Sequence, residues 1–243
     1  MSTTGEIKNV VLVHGAFADG AGWRGVYDLL TGRGYRVSIV QNPLTSFADD
    51  VAATSRVLDA QDGPAILVGH SWGGTVITEA GVHPKVAGLV YVSALIPDAG
   101  ETSGQQYEGF APTPEFVIDV QDDGFGYLDR NAFHAGFAAD VSDADAAFLA
   151  DSQVPVNMAV FGEAVTAAAW RDKPSWAVIA TEDKAFDQAM LQHMATRAGA
   201  DITNVPGSHA LFITQAETVA AVIATAATSS SAAAEVAADA GTR

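Results

Sequence analysis

The stretch AILVGHSWGGTVI, Ala65 to Ile77, constrains the fold more than any other part of the 243-residue chain. A continuous apolar run, short enough for a buried strand, stops at Gly69-His70-Ser71-Trp72-Gly73, and apolar residues then return at helical spacing through Val76, Ile77 and Ala80. Glycines on both sides of a serine mark a sharp strand-to-helix turn in which a β-carbon would strike the neighbouring strand or helix. Such a turn lifts Ser71 to the carboxyl edge of a sheet and places it at the positive end of a helix dipole.

Other short β-branched or aliphatic runs, Val10 to Val13, Val37 to Val40 and Val86 to Val92, read as further buried strands. Helical spacings lie between them: Trp23, Val26, Leu29 and Leu30, then Val51, Ser55 and Leu58, then a helix expected over residues 75–82. Alternation of strand and helix points to an α/β fold, a mostly parallel sheet of about six strands covered on both faces. The alternation breaks after Ser93, where LIPDAGETSGQQYEGFAPTPEF is rich in Pro, Gly and polar residues. Residues 97–170 read as a small, mostly helical cap inserted after the fourth strand, with helices expected at DADAAFLADS and GEAVTAAAWR. Strands return at Trp176 to Thr181 and Ala200 to Val205, with a helix from about Asp187 to Ala198 between them. The core is therefore expected at residues 1–96 and 171–228. The Ala- and Ser-rich residues 229–243, beyond a last helix ending near Ala227, are expected to be a frayed tail.

A composition of 49% hydrophobic and 17% charged residues is that of a globular protein. Twelve basic against 29 acidic residues, a net charge of −17, disfavour nucleic acid and anionic lipid as partners. The absence of cysteine excludes disulfides, thiolate metal sites and a cysteine nucleophile. The start of the chain lacks a basic segment followed by a long apolar core, so a cytoplasmic location is the default expectation. The expected partner is a small-molecule ester rather than nucleic acid or membrane, and the expected state a monomer or homodimer.

A strand, G-x-S-x-G and a helix in that order are the setting of a nucleophilic serine. A serine hydroxyl needs a base, and of the six histidines His209, in VPGSHALFITQ after the last strand, reaches the same sheet edge. His14 and His70 adjoin turn glycines, His83 ends a helix, His193 lies within one and His134 falls in the cap. Glu182, Asp183 and Asp187 compete to orient the base; Asp183 has the favoured length and position, whereas Asp187 also suits a helix N-cap. Oxyanion donors are expected from the backbone N–H groups of Trp72 and Ala16, with Phe17 as the alternative. Phe17, Trp23, Trp72, Phe133, Phe137 and Phe161 are candidates for an apolar substrate pocket. Gly15, Gly20 and Gly22 miss the dinucleotide and P-loop spacings, and no cofactor or metal is expected.

Together, VLVHGAFADGAGW, GHSWGG, ATEDKAF and GSHALFITQ make the chain resemble the α/β-hydrolase superfamily, in the branch of plant methylesterases, hydroxynitrile lyases and their bacterial esterase-like relatives. The resemblance runs from about Val10 to Ala227 and is weak through the cap. It implies Ser71 as nucleophile, His209 as base, Asp183 as acid, and Ala16 with Trp72 as oxyanion donors. The lyases of this branch carry a threonine where this chain has Gly15 and a lysine where it has Ala210, so the resemblance favours a serine carboxylic-ester hydrolase working through an acyl-enzyme. A small-molecule receptor with slow hydrolysis and a carbon–carbon lyase are the alternatives.

Overall fold

The structure is a computed structural model that describes residues 6–240, with side chains to residue 232. The first five residues and the last three of the expected tail lie outside the described residues. In chain order the first half of the core comprises β1 (Asn9–Val13), α1 (Arg24–Gly32), β2 (Arg36–Val40), α2 (Phe47–Asp59), β3 (Ala65–His70), α3 (Trp72–Ala80) and β4 (Val86–Val92). The insertion contains β5 (Ile118–Val120), β6 (Phe125–Leu128), α4 (Phe133–Phe137), α5 (Asp143–Asp151) and β7 (Val156–Asn157). The core resumes with β8 (Ser175–Ala180), α6 (Gln188–Arg197), β9 (Asp201–Val205), α7 (Leu211–Thr214) and α8 (Ala216–Ala240).

Six strands form one sheet in the order β2-β1-β3-β4-β8-β9, and every pairing in it is parallel. Strands β1, β3 and β8 are buried along their whole length, as parallel strands with helices on both faces must be. Because all six run the same way, the turns after β1, β3, β4, β8 and β9 gather at one edge. Ser71 and the loops holding Ala16, Asp183 and His209 all follow carboxyl ends of strands at that edge.

The insertion departs from the expected mostly helical cap. Its strands β5, β6 and β7 form a separate antiparallel sheet, and only DADAAFLADS forms the expected helix, as α5 with Ser142 as its N-cap. GEAVTAAAWR is not α-helical: Gly162 ends one 3-10 turn, and a second lies at Ala169–Arg171. Its backbone instead bonds residues 100 and 101, through Val165 O to Gly100 N at 2.8 Å and Val165 N to Glu101 O at 3.0 Å. Thr166 N donates to Glu79 Oε2 at 2.6 Å, and these external partners outweigh the intrinsic helix preference of alanine.

The expected tail also differs, because α8 continues to Ala240. Alanine favours the helix intrinsically, and the polar side chains fold back on it: Thr225, Thr228 and Ser231 donate to carbonyls four residues earlier. Ser230 is buried, and its Oγ lies 2.8 Å from where a β-carbon on Gly88 of β4 would sit. Ser231 Oγ also accepts from Ile7 N at 2.9 Å, bringing α8 beside the segment leading into β1.

Candidate active site

The turn from β3 into α3 is built around Ser71, whose φ of 53° and ψ of −121° lie in a strained region for a residue with a side chain. Its neighbours hold it there: Ser71 N donates to Val92 O, and Ser71 O accepts from Gly74 N and Leu95 N. A β-carbon on Gly69 would sit 2.4 Å from Gly73 O, one on Gly73 2.7 Å from Val13 O, and one on Gly74 2.2 Å from Leu95 O. The glycines of GHSWGG are thus demanded by backbone passing on every side of the turn.

His209 and Asp183 meet in full burial of their side chains, with His209 Nδ1 2.8 Å from Asp183 Oδ2. Asp183 Oδ1 accepts from Ala185 N at 2.8 Å and Phe186 N at 2.9 Å, which fixes the carboxylate. In the neutral tautomer whose Nδ1–H donates to the carboxylate, Nε2 carries the ring's lone pair; Nε2 has no hydrogen-bond partner among the described residues. No hydrogen bond therefore joins Nε2 to Ser71; bonds of this kind commonly tighten only with substrate bound. Of the competing acids, Asp187 caps α6 by accepting from Ala189 N and Met190 N, and Glu182 is exposed.

The loop bearing His209 is held from three directions. His70 Nε2 lies 2.9 Å from His209 O, Ala210 N donates to Phe137 O at 3.0 Å, and Asp140 accepts from Ser208 Oγ and, at 2.6 Å, from Thr214 Oγ1. Two of these holds come from the insertion. Burial and the nearby His209 push the pKa of His70 well below its usual value, so His70 is neutral and donates through Nε2–H. His14 is likewise held neutral by burial, and its Nε2 accepts from Asn42 N at 2.9 Å. The Gly15 turn presses against Ser71: a β-carbon there would lie 2.8 Å from Ser71 Cβ.

A cavity of about 310 Å³ opens over Ser71, lined by Ala16, Phe17, Ser71, Trp72, Leu95, Tyr107, Thr113, Phe116, Ile118, Phe161 and Phe186. None of these described lining residues is charged. The structure brings Ala16, Phe17, Trp72 and Phe161 into this lining, and Phe17 turns the loop after β1 with a φ of 60°. Trp23, Phe133 and Phe137 are not in the lining. Trp23 packs on Phe212 and His70, and Phe133 on Phe137, which faces the His209 ring at 5.1 Å. Trp23 and Phe137 thus back the histidines, and all three rings are buried in the core. The lining residues not anticipated from sequence, Leu95, Tyr107, Thr113, Phe116, Ile118 and Phe186, follow sheet-edge turns or sit in the insertion, where no periodic signal marks them.

A family model, described as the alpha/beta hydrolase family, matches residues 10–222. The chain belongs to the alpha/beta hydrolase family. Among curated relatives, a pyrethroid hydrolase of Sphingobium wenxiniae is 33% identical over 111 residues, 40% of this chain and 39% of the relative. A carbendazim-hydrolysing esterase of a Nocardioides species is 34% identical over 112 residues, 40% of this chain and 46% of the relative. The chain thus spans less than half the length of these two curated relatives. Among solved structures, a pyrethroid hydrolase from Sphingobium faniae shares the fold with a TM-score of 0.78 at 24% identity, covering 91% of this chain and 97% of that one.

Proposed function

We propose that this alpha/beta hydrolase cleaves small, uncharged, largely apolar carboxylic esters through an acyl-enzyme on Ser71. The observation that carries the reading is the buried His209–Asp183 pair, whose remaining ring nitrogen is free to act as a base at the sheet edge that presents Ser71. Ser71 Oγ attacks the ester carbonyl as His209 Nε2 takes its proton, and the backbone N–H groups of Ala16 and Trp72 receive the negative charge on the carbonyl oxygen. His209 returns the proton to the leaving alcohol, and water then hydrolyses the acyl-serine by the same route. Asp183 holds the ring tautomer and stabilises the imidazolium. The uncharged, aromatic cavity supports an apolar acyl or alcohol group, and the names of the two curated relatives, hydrolases of pyrethroids and carbendazim, support the same reaction class.

The lyase alternative loses support at Gly15, where no β-carbon fits without displacing Ser71 or His70. The test is steady-state hydrolysis of p-nitrophenyl esters of increasing acyl length by the parent and Ser71→Ala. A Ser71-dependent rate with a length optimum is expected; a Ser71-independent rate overturns the reading.

A further inference from the structure

Asp50, on the first turn of α2, is fully buried and takes no part in the chemistry described above. Its Oδ2 accepts from Trp72 Nε1 at 2.8 Å, and its Oδ1 accepts from Leu44 N at 2.8 Å. No described cation pairs with it, and the charged groups that bear on it, Asp49 on its own helix and Glu163 in the insertion, are both acidic. A buried carboxylate without a cation is costly unless its lone pairs are used. Here both bonds go to strained or site-forming residues: Leu44 has a φ of 57°, and Trp72 directly follows the nucleophile.

Trp72 contributes to the site twice. Its ring walls the cavity and packs edge-on to Phe47 at 5.7 Å and Phe161 at 5.2 Å. Its backbone N–H is the oxyanion donor of the proposed reaction. The indole is anchored through its one polar atom, so its rotation about the Cα–Cβ bond is set by Asp50. Leu44 extends the same support outward, because its carbonyl accepts from Asn157 N of β7 at 2.9 Å.

We infer that Asp50 is a positioning residue for the hydrolase site, fixing through the Trp72 indole both the cavity wall and the oxyanion donor beside Ser71. The inference rests on the proposed ester hydrolysis. An acceptor-only carboxylate suits two N–H donors; an asparagine turns one of its two atoms into a donor facing a donor, and a protonated carboxyl makes one oxygen a hydroxyl, which accepts more weakly. The desolvated carboxyl of Asp50 has its pKa raised from 3.8 to about 6, so the carboxylate form is lost as pH falls through that value.

The test is a double-mutant cycle of Asp50→Asn and Trp72→Phe, read as kcat and KM for p-nitrophenyl butyrate between pH 4.5 and 8. Asp50→Asn is expected to lower kcat about 10-fold with a smaller change in KM. In the Trp72→Phe background the same substitution is expected to cost no more than about 2-fold, because the route it acts through is gone. On the acid side the parent is expected to lose activity with one more proton than either single variant. Trp72→Phe keeps the carboxylate and supplies this readout even if Asp50→Asn does not fold. Parent-like kcat in Asp50→Asn, an equal cost in both backgrounds, or an unchanged acid limb in Trp72→Phe overturns the inference.

The rate at which diethyl p-nitrophenyl phosphate labels Ser71 separates the two readings. In that reaction the Ser71 Oγ–P bond forms, p-nitrophenolate leaves and the serine proton passes to the base. If the parent labels but turns over no ester, ester hydrolysis falls and a slower labelling of Asp50→Asn still sustains the role of Asp50. If labelling is equally fast in both, the role of Asp50 falls. If Ser71 does not label at all, both fall.

Discussion

The carboxyl edge of the six-stranded sheet and the insertion between β4 and β8 meet over the same cavity but are specified by different means. At the sheet edge, positions are set by backbone: parallel strands end in register, and glycines admit passing carbonyls at 2.2–2.7 Å from where a side chain would begin. The insertion is tied by individual side chains, such as those of its leading loop, Glu101 to Arg197 of α6 and Asp98 to Arg171. The first arrangement tolerates almost no change and suits reacting groups. The second can alter its lining without altering its support, as selectivity requires.

The division is sharpest at Ser71, the proposed nucleophile. Ser71→Ala is expected to lower kcat/KM for p-nitrophenyl butyrate by a factor on the order of 10⁴ or more with the fold intact by circular dichroism. Asp183→Asn should cost on the order of 10³ to 10⁴, since the amide no longer enforces the proton position on His209 Nδ1. An intermediate result is expected where the regions overlap: Asp140→Asn weakens the hold on Ser208 and Thr214 and should lower kcat about 10-fold, measured with the same ester. A loss there as large as at Asp183 would erase the distinction between the two regions. In the insertion proper, Phe161→Ala is expected to move the acyl-length optimum upward while changing the best kcat by less than about 5-fold.

A further expected effect concerns stability rather than rate. Asp50 is an acid whose folded pKa, about 6, exceeds its unfolded value of 3.8, so the folded state binds the extra proton between those values. Its contribution is most favourable below about pH 4, falls as pH rises through 6 and is constant above. The stability of Asp50→Asn relative to the parent should therefore rise by roughly 2 kcal/mol from pH 4 to 7, measured by urea denaturation.

The sheet was legible in sequence because buried parallel strands are continuous apolar runs and the helices between them repeat at 3.6 residues. The placement of Ser71, Asp183 and His209 at one sheet edge was legible because each follows the carboxyl end of a strand. The insertion was not, for a physical reason: β5 and β7 have three and two residues, too short for a period to show. GEAVTAAAWR misled because alanine favours helix locally, whereas the bonds of Val165 and Thr166 to residues 100 and 101 and to Glu79 are tertiary. The same limit hid α8 beyond Ala227, where small residues pack on Gly88 rather than along an apolar stripe. Asp50 was hidden by its position, since an acid in the first turn of a helix reads as a partner of the dipole.

The hydrogen bond from Ile7 N to Ser231 Oγ joins residues 224 apart in sequence. Ile7 precedes β1, so this clasp lies at the opposite edge of the sheet from Ser71. A tether attached through that edge is therefore expected to leave the cavity over Ser71 facing outward, which makes this face the natural side for immobilising the protein.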